Sequence, residues 1–219
     1  MKFEQFGLDR RIVNAIAGAG YTVPTPIQHQ AIPKVLEGRD VMGLAQTGTG
    51  KTAAFTLPIL QRLIKGPQRR VRALVVVPTR ELAEQIYQTS VELGKNTRVR
   101  CVAVYGGVSK KSQVSQLRKG VELAIACPGR LLDLVGDGDI DLSQIEVLVL
   151  DEADRMCDMG FMPDIRRIIK ILPSKRQTLC FAATMPEDIR RLTDKILRNP
   201  VRVQIGKISP AKSVSHALY

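Results

Sequence analysis

The chain has 219 residues, with 33 Lys and Arg against 21 Asp and Glu and a formal net charge of +12, a length that suits one large domain or two small ones. With 44% hydrophobic and 25% charged residues it reads as an ordinary folded protein, and 4% aromatics without Trp argue against an aromatic-lined groove for carbohydrate or peptide. The positive balance suits an anionic polymer through charge attraction and counterion release, although charge alone serves solubility equally and does not single out RNA.

Cys101, Cys127, Cys157 and Cys180 are far apart, form no C-x-x-C pair and have only His29 and His216 to join them. Neither a zinc site nor a disulfide framework is expected. The opening "MKFEQFGLDRR" lacks the apolar core of a signal peptide, and no apolar stretch approaches the ~18 residues needed to cross a bilayer. A cytoplasmic location without membrane association is the expectation.

In chain order, Phe3, Phe6 and Leu8 come first and could anchor the N-terminus on a core; "GYTVPTPIQ" (20–28) follows. "DVMGLA" (40–45) predicts the first strand and runs into "AQTGTGKT" (45–52), which opens a helical pattern, "AAFTLPILQRL". Strand, glycine loop and helix in that order form a phosphate-binding loop with Ala45 in place of its usual first glycine. Gly48 and Gly50 let successive N–H groups turn towards phosphate, and the helix start adds a positive dipole end. Lys51 would reach the β and γ phosphates, and the Thr52 hydroxyl would bind Mg²⁺.

Further strands are predicted at "RALVVVP" (72–78), "VRCVAVY" (99–105), "VELAIACP" (121–128), "EVLVLDE" (146–152), "QTLCFAA" (177–183) and "VRVQI" (201–205). Several are apolar at consecutive positions, as strands covered on both faces of a mostly parallel sheet must be. Between them Ile165, Ile168, Ile169 and Leu172 keep helical spacing, as do Ile189, Leu192 and Ile196. The fifth strand ends in Asp151 and Glu152, with Asp154 beyond: Asp151 is the candidate Mg²⁺ carboxylate, partly through water, and Glu152 the candidate general base or water-orienting group. After the sixth, Thr184 and Glu187 have capping-box spacing for a helix starting near Pro186. Periodicity fades after residue 205, so 206–219 reads as the start of a linker.

Together these stretches resemble the N-terminal RecA-like domain of a DEAD-box RNA helicase, of the bacterial RhlE-like branch, from Phe3 to about Val203. The set comprises the phosphate loop, "DEAD" (151–154), "GYTVPTPIQ", "PTRELAEQ" (78–85), Gly106–Gly107, "PGR" (128–130) and "AAT" (182–184). The resemblance implies an α/β RecA-like P-loop domain over 1–205 with helices on both sheet faces. It implies ATP and Mg²⁺ as cofactors, with Gln46, Thr47, Gly48, Thr49, Gly50, Lys51 and Thr52 around the phosphates. Gln28 would read the adenine edge, since an amide can accept from N6 and donate to N7 at once. Phe3 would stack on the base, with Tyr21 and Thr25 in support.

The resemblance further implies that Pro78, Thr79, Arg80, Gly106, Gly107, Pro128, Gly129 and Arg130 contact the RNA sugar-phosphate backbone, not its bases. Taken singly, Thr79 reads equally as a helix cap and Gly106–Gly107 as a turn. Asp154, Ala182 and Thr184 would couple hydrolysis to strand separation. Two positions depart from the family's usual pattern: Cys127 replaces a threonine before "PGR", and Ala182 replaces a serine, so a hydroxyl is missing at each. A second RecA-like domain with an arginine finger is the expected partner. Without it this chain, a monomer, should bind nucleotide weakly and hydrolyse it poorly. The function implied is RNA-dependent ATP hydrolysis coupled to local unwinding of short duplexes; an RNA clamp or assembly platform, and a P-loop ATPase acting on DNA or protein, are the competing readings.

Overall fold

A computed structural model describes residues 2–206; the expected linker, apart from Gly206, lies outside the described residues. All seven predicted strands form: β1 (Val41–Leu44), β2 (Ala73–Val76), β3 (Cys101–Val104), β4 (Leu123–Ala126), β5 (Val147–Leu150), β6 (Gln177–Ala182) and β7 (Val201–Gln204). They build one sheet in the order β3-β4-β2-β5-β6-β1-β7. Every pairing is parallel, which goes beyond the mostly parallel sheet expected. Parallel neighbours require long crossovers, and the helices supply them. The inner strands β4, β2, β5 and β6 are buried at every residue, whereas the edge strand β3 alternates.

Successive side chains point to opposite faces of a strand, and the core divides accordingly. On one face Leu74, Val76, Leu148 and Leu150 belong to an apolar layer with Leu131, Met156, Ile165 and Ile189. These come from α6 (Pro128–Gly136), α7 (Ala153–Asp158), α8 (Met162–Ile171) and α9 (Glu187–Ile196). On the other face Val75, Val149, Leu179 and Phe181 share a layer with Ile27, Phe55 and Ile86, from α2 (Pro26–Leu36), α3 (Lys51–Leu63) and α4 (Arg80–Gly94). A short 3-10 turn at Phe3–Phe6 and α1 (Arg10–Gly18) close a third cluster with Leu57 and Leu60. The remaining helix, α5 (Lys110–Arg118), follows β3. Among the described residues no helix is long and apolar enough to cross a membrane.

A buried carboxylate fixes the sheet's β1 side. Asp40, 5% exposed, accepts from the Thr178 and Arg198 amides at 2.8 and 2.7 Å. It thereby ties the entry of β6 and the turn before β7 to the start of β1.

The capping box expected at Thr184 does not form. Pro186 holds extended geometry at the cap position, φ −65° and ψ 162°, and α9 starts at Glu187. Pro186 disfavours helical geometry in the residue before it, so the helix starts late and the Thr184 hydroxyl is left for another partner.

Candidate functional site

The loops after β1, β5 and β6 meet at one end of the sheet, because β6 lies between the other two. Ala45 N–H donates to the Ala182 carbonyl at 3.0 Å, extending the β1–β6 ladder to the foot of the phosphate loop. The chain turns into α3 at Gly50, whose φ of 94° is left-handed. A Cβ there would come within 2.5 Å of Gln28 Nε2 and 2.9 Å of Thr25 Oγ1. Gly50 is therefore required both by backbone conformation and by the close approach of α2.

Gln28 is 1% exposed; its Nε2 donates to the Gly50 carbonyl at 3.1 Å and its Oε1 accepts from Thr25 N–H at 3.0 Å. An amide has two N–H groups and two lone pairs, so one of each remains for a base. Thr25 Oγ1 is buried without a hydrogen-bond partner, an open position on the wall of the loop. Tyr21 is half-buried. The stacking expected of Phe3 is not met in this arrangement. The ring is 2% exposed and packs edge-on against Phe6 and Tyr21, with centroids 6.0 and 6.2 Å away, so it anchors the N-terminus and has no face free for adenine.

Lys51 is 6% exposed, and its Nζ donates to the Ala45 carbonyl at 2.9 Å across the loop. Thr49 Oγ1 donates to Gln46 O at 2.8 Å, and Thr47 Oγ1 donates to Glu152 Oε1 at 3.0 Å. The last bond joins the phosphate loop to the acidic loop. Glu152 has φ 52° and ψ 49°, left-handed backbone that is costly for a residue with a side chain and recurs at functional sites. Asp151 is 2% exposed, and its Oδ1 accepts from Glu152 N–H at 3.0 Å. Burial pushes its carboxyl up to about 6, with Lys51 pulling down and Glu152 pushing up. Among the described residues no three His, Cys, Asp or Glu side chains gather as a metal cage. One buried carboxylate beside the half-buried Thr52 fits Mg²⁺, which keeps several waters and takes phosphate oxygens as ligands.

Asp154 joins this end to β6. Its Oδ2 accepts from Ala183 N–H at 3.1 Å, Thr184 N–H at 2.8 Å and Thr184 Oγ1 at 2.9 Å. The hydroxyl freed from capping is thus bound to the last acid of "DEAD". Ala182 is fully buried in the apolar layer with Cys180 and Ile189. Burial also pushes the Cys101 and Cys180 thiols up to about 12 and the Cys127 thiol up to about 11. These thiols stay protonated at neutral pH and supply no nucleophile.

The loops after β2, β4 and β3 adjoin on the same end, over the other half of the sheet. Pro78 is buried, and Thr79 caps α4 through Oγ1, which accepts from Leu82 N–H at 3.3 Å. Arg80 is exposed with its guanidinium 5.3 Å from the centre of the Tyr105 ring, and Tyr105 OH donates to Glu84 Oε2 at 3.0 Å. Gly106 and Gly107 are exposed beside it, as is Gly129 after the buried Pro128. Arg130 Nη1 donates to Gln113 Oε1 at 3.2 Å, and Nη1 and Nη2 both donate to Val108 O at 3.3 Å. Arg130 therefore braces the glycine loop, and in this arrangement its guanidinium does not point free to solvent. Sequence reasoning missed Gln113, 4% exposed, whose Nε2 donates to Tyr105 O at 3.0 Å. Its one signal is an amide four residues before Leu117, on the face of α5 that turns inward.

Gly50→Ala is expected to weaken nucleotide binding at least tenfold and to destabilise the fold by about 1–2 kcal/mol through left-handed strain. Gly48→Ala, at φ 84° with nothing within 4 Å of the added Cβ, should share the strain but retain more affinity. Titration of a fluorescent nucleotide into both variants checks this; equal losses would remove the Gln28 contact as the cause.

The family described as DEAD/DEAH box helicase matches residues 25–192. The chain is 51% identical over 204 residues to the DEAD-box ATP-dependent RNA helicase RhpA of Helicobacter pylori, covering 93% of this chain and 41% of that protein. It is 45% identical over 204 residues to the ATP-dependent RNA helicase CshA of Listeria monocytogenes, 93% of this chain and 39% of the relative. The DEAD-box ATP-dependent RNA helicase 14 of Arabidopsis thaliana is 43% identical over 211 residues, 95% of this chain and 34% of its own length. The chain thus spans well under half the length of these relatives, and bacterial and plant proteins match it to a similar degree, which resolves the family without assigning the RhlE-like branch. With its phosphate loop, acidic loop and Asp154 contact built around the C-terminal ends of β1, β5 and β6, the chain belongs to the DEAD/DEAH box helicase family.

Proposed function

We propose that this chain is the ATP-binding half of an RNA-dependent ATPase that locally separates RNA duplexes, working with a second RecA-like domain that completes the site. The observation that carries the reading is the Thr47–Glu152 bond at 3.0 Å, which joins the phosphate loop directly to the "DEAD" loop. The RNA-facing loops adjoin it on the same end of the sheet.

Gln28 keeps one N–H and one lone pair for the adenine edge, and the open Thr25 hydroxyl lies beside it. Lys51 exchanges the Ala45 carbonyl for phosphate oxygen, a stronger, charge-assisted partner. Asp151 and Thr52 would hold Mg²⁺, the carboxylate partly through water, and the ion would neutralise charge on the phosphate oxygens. Glu152, fixed by Thr47 on one oxygen and by Arg155 at 3.2 Å on the other, orients the attacking water and takes its proton. Arg80 and the backbone at Gly106, Gly107 and Gly129 face the RNA chain and make no base contacts.

The Asp154 contact bears on the competing clamp reading. Asp154 Oδ2 already collects three donors without any hydroxyl at Ala182, so the link between the acidic loop and β6 persists, which favours a helicase. RNA-stimulated ATPase and duplex separation, measured side by side on the protein with its second domain, test this. Stimulation by RNA with separation supports the proposal; equal stimulation without separation identifies a clamp, and stimulation by DNA alone another P-loop ATPase. In the same assay Ala182→Ser is expected to raise duplex separation per ATP more than ATP turnover.

A further inference from the structure

Much of the positive charge of this chain lies in three loops at the end of the sheet opposite the site just described, beside an acidic loop before β5 that carries Asp137, Asp139, Asp141 and Glu146. The three basic loops, 65–72 before β2, 95–100 before β3 and 118–122 before β4, hold nine basic residues and one acid, a net +8 against +12 for the whole chain. The lone acid, Glu122, is 1% exposed and draws the loops together: it accepts from Arg69 N–H at 2.6 Å, Arg100 N–H at 2.8 Å and the Arg100 guanidinium at 3.2 Å. Arg100 in turn donates to Lys119 O at 2.8 Å. Arg72, Arg100 and Arg118 are paired with Glu146, Glu122 and Asp139. Lys65, Arg69, Arg70, Lys95, Arg98 and Lys119 are all exposed, with no carboxylate at ion-pair distance among the described residues. A cleft of about 200 Å³ opens among them, lined by Arg11, Gln68, Arg98 and Glu122.

Helix ends do not account for this. α3, α4 and α5 finish at this end, and cations complement helix C-termini, but α6 finishes here too and is followed by Asp137 and Asp139. Like charges gathered by a buried acid oppose folding unless something else compensates.

We propose that this end is a second RNA-binding surface, which holds the phosphate backbone of a segment flanking the one in the main groove. The inference rests on the RNA reading above. Phosphate is favoured over an acidic protein because none of the exposed large apolar residues, Val23, Val91, Val108, Met159 and Ile171, lies in the three loops. Protein interfaces are anchored by buried aromatic and aliphatic side chains, whereas nucleic-acid backbone is held by charge. Six of the nine cations near this rim are arginines, and Arg69, Arg70 and Arg98 among them are exposed without an ion-pair partner among the described residues; arginine is the side chain that grips phosphate bidentately.

The test compares the 219-residue chain with the variant Arg70→Gln/Arg98→Gln/Lys119→Gln, which touches no residue of the ATP site or the main RNA loops. Binding of labelled RNA is followed by anisotropy across a salt series, and equal melting temperatures exclude misfolding. For an RNA of about 30 nucleotides the variant should bind about tenfold more weakly, with a salt slope shallower by about 2, near 0.7 per lost single-strand phosphate contact. For an RNA of about 8 nucleotides, which fills one site only, binding should be unchanged. Unchanged affinity and slope with the long RNA overturn the proposal, as does binding of polyglutamate by the wild type in place of RNA. If the wild type binds neither RNA, it is the RNA reading itself that fails.

Discussion

Asp151→Asn is expected to lower ATP turnover by about two to three orders of magnitude while making the nucleotide-free chain more stable. The carboxyl is 2% exposed, and burial, only partly offset by Lys51, lifts it to about 6, above the ~3.9 of an unfolded aspartate. With its pKa raised on folding, the native state holds more protons than the unfolded chain between about pH 4 and 6, so this residue's contribution falls as pH rises through that window. Above it the penalty is complete, at up to about 3 kcal/mol for a two-unit shift. Asparagine carries no charge to desolvate, so the variant should gain stability over the wild type at pH 7.5 and lose the advantage near pH 4. Urea unfolding of both proteins across this range is the measurement; a difference that does not change with pH would refute the burial account. ATP turnover should fall about 10²- to 10³-fold, the usual loss when one electrostatic element of an active site is removed.

Asp154→Ala should produce the largest loss of fold stability, about 2–4 kcal/mol. Three donors meet on one carboxylate oxygen that is largely out of solvent, and alanine would leave two backbone N–H groups and a hydroxyl without an acceptor. Thr184→Ala removes one of the three and leaves the carboxylate in place, so about 1 kcal/mol is expected. Denaturant titration of the two variants separates these values. A double variant should cost little more than Asp154→Ala alone, because both changes act on one contact. In the protein with its second domain, Asp154→Ala should also lower stimulation of ATP turnover by RNA more than turnover without RNA. A proportional drop in both would make the contact purely structural.

Much of this was legible in the order of residues. Strands buried on both faces announce themselves as uninterrupted apolar runs, and "AQTGTGKT" between a strand and a helix has few other uses. Less legible were the partners of single polar groups. Thr184 has the spacing of a cap, but Pro186 delays the helix and the hydroxyl turns to Asp154, thirty residues away. Arg130 reads as a phosphate contact, and its bonds to Val108 and Gln113 have no counterpart in the spacing of residues. Phe3 reads as a stacking ring, yet it has Phe6, Tyr21 and α1 to pack against, and burying an aromatic ring there outweighs leaving it open for a base.

The α/β fold, the phosphate loop and the acidic loop are written in periodicity and short motifs, which are local properties of a chain. Which groups meet follows instead from how the strands are ordered in the sheet. The insertion of β6 between β1 and β5 brings Asp154 to Thr184, and the entries to β2, β3 and β4 bring three separate basic loops onto Glu122. Sheet order and buried hydrogen bonds depend on residues distant in sequence, and no spacing along the chain encodes them.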